Sequence, residues 1–205
     1  MEIRSVTLFC EADRVPAVYA PFLTAARGAF PVRVQSTRLG TTPFPDWLPR
    51  EDAAAGASAV VEAWQAAGAD YVSLGPVQLR HDPAWLAVIP DLLMAAEGVF
   101  ASIEIATTDG RIDTGRCHAA AEVIRRVSAL RPDGFANLFL GALAACGPGH
   151  PFLPASYAGG GADSFAIAVE AADVALEAIA GAATLAEAAN RLTAGIEAAA
   201  ATVVP

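Results

Sequence analysis

The 205 residues carry 13 basic and 22 acidic groups, a formal charge of -9, and are 55% apolar with a mean hydropathy of +0.43. That acidic balance argues against a nucleic-acid partner, which needs clustered cations, and no run of about 18 uninterrupted apolar residues offers a membrane span. Every basic residue is arginine, so lysine Schiff-base chemistry and a phosphate-loop lysine are excluded.

Strand-like and helix-like segments alternate, the signature of a parallel sheet covered by helices. The pattern predicts a strand from Ile3 to Cys10, a helix from about Val15 to Phe30, and a strand from Val32 to Leu39. A proline-rich loop precedes a helix from about Glu51 to Ala67 that Gly68 is placed to end. Tyr71 to Gly75 reads as a strand, and Asp82 with Pro83 as the cap and first turn of a helix to about Glu97. A fourth strand is expected at Phe100 to Ala106, a helix at about Thr114 to Leu130, and a fifth strand at Phe135 to Leu140. Ser164 to Val169 fits a short strand or a helix start, and Thr184 with Glu187 forms a capping box that opens a last helix to about Ala201. The whole, residues 1–205, reads as a single α/β domain, a mostly parallel half-barrel or open sheet of five to six strands with helices on one face.

Alternation along each strand opposes an apolar side to a side with polar members: Ser5 and Thr7, Gln35 and Thr37, Ser73, Ser102 and Glu104, and Asn137. A shared polar inner face implies a wider or open barrel with a wet or ligand-bearing interior, the alternative being a half-exposed sheet that meets water or another chain. In the run from Phe135 to Asp163 an apolar strand-like segment passes into a long loop rich in glycine and proline, where α/β proteins place their sites.

Candidate chemistry follows from residue type and place. Glu104 is the one carboxylate inside a strand, which suits an acid/base role or an interior glutamate satisfied by its neighbours. His150, in the Gly147 to Pro151 loop, suits a proton carrier or is a plain loop residue. Arg38 is a candidate anion anchor; Asn137, Ser102 and Thr107 are candidate polar contacts; Gly160 and Gly161 offer backbone amides to an anion. His81, His118 and His150 share no metal-ligand spacing, and Cys10, Cys117 and Cys146 show no CxxC pattern. The glycine triplet at Gly159 to Gly161 matches no phosphate fingerprint, so no cofactor is named. The start MEIRSVTLF lacks a signal-peptide pattern, and a cytoplasmic location is expected.

The segments MEIRSVTLFC, VRVQSTRLGTTPFP, DYVSLGP, SIEIATTDGRID and FANLFLGALAACGPGHPFLPASYAGGGADSFAIAVE together resemble the family titled domain of unknown function 711. The resemblance implies a fold related to pyruvate formate-lyase, a ten-stranded α/β barrel of two five-stranded halves, of which this chain matches the N-terminal half. It assigns no reaction, and the glycyl-radical signature RVxGY is absent. The expectations are therefore a small-molecule or anion site at the C-terminal strand ends, formed by the loops after Leu39, Gly75, Ala106 and Cys146. The alternative is a non-catalytic subunit that pairs its open edge or face with a second copy or a second barrel half.

Overall fold

The computed structural model describes residues 2–203. Its centre is one six-stranded sheet, curled into a half-barrel, in the order β5-β4-β3-β2-β1-β6. The strands are β1 Glu2–Cys10, β2 Thr37–Thr41, β3 Tyr71–Val77, β4 Val99–Ala106, β5 Leu140–Ala144 and β6 Ser164–Glu170. The first five run parallel, and β6 adds antiparallel to the free side of β1. The α/β half-barrel expected from the alternation is the fold observed.

Helices α1 Pro16–Ala26, α2 Ala53–Ala66, α3 Ile89–Ala95 and α4 Thr114–Ser128 cover one face of the sheet, sharing a core with Leu8, Leu39, Val72, Val99 and Ile103. Helix α2 buries Ala53, Ala57, Val61 and Trp64, and α4 buries Arg116, Ala120, Val123 and Val127, a stripe at helical spacing in each case. Asp113 caps α4 by accepting the Arg116 N–H at 2.8 Å. Gly68 follows α2 with φ +111°, a conformation that side-chain-bearing residues rarely adopt. Helices α5 Ala172–Ala180 and α6 Leu185–Ala200 pack on each other beyond β6, and Thr184 caps α6 through the Glu187 N–H at 3.1 Å.

Three expectations need correction. The segment from Phe135 to Phe139 is a 3-10 helix, not a strand, and β5 begins only at Leu140. Its cause is local: Gly134 sits at φ +70° and the Asp133 carboxylate accepts the Phe135 N–H at 3.0 Å, which winds the backbone into a turn. Asn137 therefore belongs to no strand face. The second strand is Thr37–Thr41, with Val34 joined to Ile3 by an isolated bridge. The alternation changes between Val34 and Thr37, so Thr37, in register with Val6, faces the helices, and Arg38, in register with Thr7, faces inward. The third helix is broken into a 3-10 turn, Pro83–Val88, and the short α3, because Pro90 cannot donate the N–H that a continuous helix requires.

The inner face is not an open lumen. The loop between β5 and β6 crosses it: Ser73 Oγ donates to the Ser156 carbonyl at 2.6 Å, and the Ala158 N–H donates to the Thr41 carbonyl at 2.9 Å. Two glycines allow this close approach, since a Cβ on Gly141 would lie 2.8 Å from Pro154 and one on Gly40 would lie 3.0 Å from Ser156. Thr7, Ser73, Ser102 and Ser156 are fully buried as a result. A Gly141→Val change drives a rigid proline ring off the sheet and is expected to cost about 1–3 kcal/mol, the range for overpacking. Gly28→Ala, where an added Cβ meets nothing within 4 Å, is the matched control. Equilibrium denaturation of the two variants checks this, and equal stabilities would contradict the packing described.

Candidate functional site

Parallel strands deliver the loops at their C-terminal ends to one side of the sheet. Here the segments after β1, β2 and β3, with residues 148 and 157–160 of the long loop, enclose a cleft of about 480 Å³. Its charged lining is Glu11, Asp13, Asp46 and Arg80; Thr42, Gln78 and Tyr157 add polar atoms, and Trp47 adds an indole face. Trp47 is fixed by its Nε1–H, which donates to the Thr42 carbonyl at 2.9 Å.

A hydrogen-bonded group holds the floor of this cleft. Arg80 and Asp46 form an ion pair, and His81 Nε2 donates to Asp46 Oδ1 at 3.1 Å. The Gln78 N–H donates to His81 Nδ1 at 2.9 Å, which assigns the other ring proton to Nε2. Both ring nitrogens are thus engaged, and His81 is a strut rather than a free base. Behind it, the buried Arg116 guanidinium donates to the carbonyls of Gln78 at 3.4 Å and His81 at 3.2 Å, fixing the segment after β3. Burial pushes the Asp46 carboxyl up, but Arg80 and His81 outweigh it and hold the group below its ordinary value. Burial depresses the His81 imidazole, against the raising effect of Asp46.

The residues singled out from the sequence are dispersed. Glu104 stands at the end of β4, where its carboxylate accepts the Leu79 N–H at 2.7 Å and so braces the segment after β3. Burial, with the Glu104 charge added, pushes the neighbouring Tyr157 phenol up. His150 is exposed, and neither it nor Glu104 lines the cleft. Gly160 lines the cleft, and Gly161 lines an adjoining hollow of about 230 Å³ with Phe9 and Cys10. Ser102 is buried in β4 on the face that the long loop covers. Thr107 closes a turn, its hydroxyl accepting the Arg111 N–H at 3.2 Å. Arg38 and Asn137 lie toward the opposite end of the strands. Of the four loops expected to form the site, the one after β4 contributes no lining residue, whereas the one after β1 does.

Glu11, Asp46 and Arg80 escaped the sequence reading, and His81 was weighed there only as a metal ligand, yet each stands within a few residues of a strand end. A carboxylate or imidazole just past a predicted parallel strand is the signal that could have found them. Cys10 ends β1 with its thiol pushed up to about 12, chiefly by burial, which makes it a core residue and not a nucleophile. Among the described residues, no group of three or more His, Cys, Asp or Glu is arranged to hold a metal ion, and no helix is long and apolar enough to cross a membrane.

A family model described as Uncharacterised ACR (DUF711) matches residues 20–204. No curated protein matches the chain.

The strut imposes a direction on pH dependence. Because the folded protein holds the His81 pKa below its ordinary 6.5, the unfolded chain binds the proton more readily, and stability is lost as pH falls below that value. Asp46 acts in the same sense at lower pH: its contribution is present above the unfolded carboxylate value and lost through the depressed folded one. Denaturation of wild type and His81→Gln between about pH 5 and pH 8 should show a shallower acid loss in the variant. Parallel profiles would rule out this role for His81.

Proposed function

The chain belongs to the DUF711 family, whose model covers residues 20–204, and from that premise we propose that it binds a small organic cation in the strand-end cleft. The observation that carries this reading is the charge of the lining. The lining carries three carboxylates, Glu11, Asp13 and Asp46, against one guanidinium, Arg80, which is paired with Asp46, while Arg14 outside the lining is shared between Glu11 at 3.8 Å and Asp163 at 3.3 Å. The cleft is therefore net negative, which favours an ammonium group and disfavours an anion there.

Trp47 supports the same conclusion. Trp47 lines the same cleft as the carboxylates, where an indole attracts a cation through its ring quadrupole, and the cleft volume of about 480 Å³ suits a small ligand. Gln78, Thr42 and the Tyr157 hydroxyl supply contacts that would orient it.

Calorimetric titration of the full chain with tetramethylammonium and with spermidine should give saturable binding. Replacing Glu11→Gln and Asp13→Asn together should weaken it about tenfold or more, as loss of charge-assisted contacts does. Lack of saturation by either cation, or unchanged affinity in the double variant, would defeat the reading.

A second reading, an assembly subunit, rests on a separate observation. Beyond the sheet, Phe165, Leu176, Ile179 and Ile196 on β6, α5 and α6 are each about half or more exposed, and isolated monomers rarely leave that much large apolar surface in one region. Light scattering at micromolar concentration should then give at least twice the mass of one chain. A monodisperse monomer would remove this reading without touching the first.

A further inference from the structure

A second hollow lies on the inner face, toward the N-terminal ends of the strands, and shares no lining residue with the strand-end cleft. The register sets Arg38 of β2 beside Tyr71 of β3, and Ser73 of β3 beside Phe100 of β4, so these side chains project inward together. Phe100 meets Tyr71 edge-on at 5.8 Å between centroids and Phe139 at 5.0 Å, forming an aromatic wall. The long loop adds Phe152, Leu153 and Pro154, and Phe135, Leu138 and Ala168 complete the apolar lining. The enclosed volume is about 750 Å³.

The charge here is the reverse of the other cleft. Arg4, Arg38 and Arg131 line the hollow against one carboxylate, Glu97. Arg4 is drawn off by Glu170 at 3.1 Å. Arg38 has no carboxylate partner among the described residues: its Nε donates to Ser36 Oγ at 2.9 Å, its Nη1 points to the Pro151 carbonyl at 3.5 Å, and its Cζ lies 5.8 Å from the Tyr71 ring centre. Burial lowers its guanidinium pKa, a sign that the charge is desolvated without full compensation. Arg131 lies over Phe139 with Cζ at 5.5 Å from the ring centre and has no ion pair among the described residues.

From this juxtaposition we propose that the inner-face hollow binds a small planar aromatic anion, its ring against Tyr71, Phe100 and Phe139 and its carboxylate on Arg38, with the Arg131 charge beside Phe139 adding to the attraction. An anion supplies the counter-charge that Arg38 lacks, and the planar guanidinium fork matches a carboxylate. The aromatic wall takes the ring by offset or edge contacts. On a chain of charge -9, two arginines without an ion pair among the described residues make this concave surface a local exception to the negative field.

The probe is 2-naphthoate, with 2-naphthamide as the uncharged isostere, titrated into the full chain by calorimetry. Saturable binding of the carboxylate, at least about tenfold tighter than the amide, is expected. Arg38→Met, which keeps an apolar stem, should erase most of that preference. Arg131→Gln should reduce it while leaving the unfolding midpoint unchanged, and it decides the matter if the Arg38 variant fails to fold. No saturable binding, equal affinity for the two probes, or a preference untouched in Arg131→Gln and in folded Arg38→Met overturns the proposal.

Discussion

A half-barrel has helices behind it and no opposite wall, so its inner face must be covered by something else in the same chain or by another molecule. Here the loop between β5 and β6 provides the cover, fastened by Ser73 to the Ser156 carbonyl and by Ala158 to the Thr41 carbonyl. Gly40 and Gly141 remove the side chains that would hold it away. Much of the rest follows from this closure. Tyr157 to Gly160 become a wall of the strand-end cleft, and Leu153 and Pro154 become the lining of the inner-face hollow. The polar strand residues Thr7, Ser73 and Ser102 end up buried under it, not in a lumen.

The two concavities sit toward opposite ends of the strands and carry opposite charge. Around the strand ends, carboxylates outnumber the single guanidinium, and the hydrogen bonds of Asp46, His81 and Arg116 are spent on holding backbone segments in place. Around the hollow, arginines outnumber the single glutamate and are flanked by aromatic rings. Arginine is well suited to the second arrangement, since its planar, weakly hydrated group can be partly buried against a ring where a lysine ammonium would keep its water.

The order of strands and helices was legible because apolar alternation and end signals such as Gly68, Asp82 and Thr184 are local. So was the polar side of β1, β3 and β4, read from Ser5, Thr7, Ser73 and Ser102. What was not legible depended on geometry that sequence spacing does not carry. The irregular step between Val34 and Thr37 turned Arg38 inward, and the Asp133–Gly134 turn converted Phe135–Phe139 from an apparent strand into a 3-10 helix. Those two local events moved Arg38 and Asn137 away from the strand-end cleft. Glu104 drew notice as a carboxylate inside a strand, a place that Glu2 and Glu170 share in the structure, and its observed partner is the Leu79 N–H, a bracing contact that no spacing rule predicts.

Residues 145–163 are a fixed part of the fold and not a loose connection. Native-state hydrogen exchange tests it most directly at the Ala158 amide, which donates to Thr41, with Val72, which donates to the Gly98 carbonyl at the start of β3, as the reference. Ala158 should exchange as slowly as Val72 and lose protection together with the sheet. Exchange of Ala158 at the rate of an open chain, while Val72 stays protected, would contradict it.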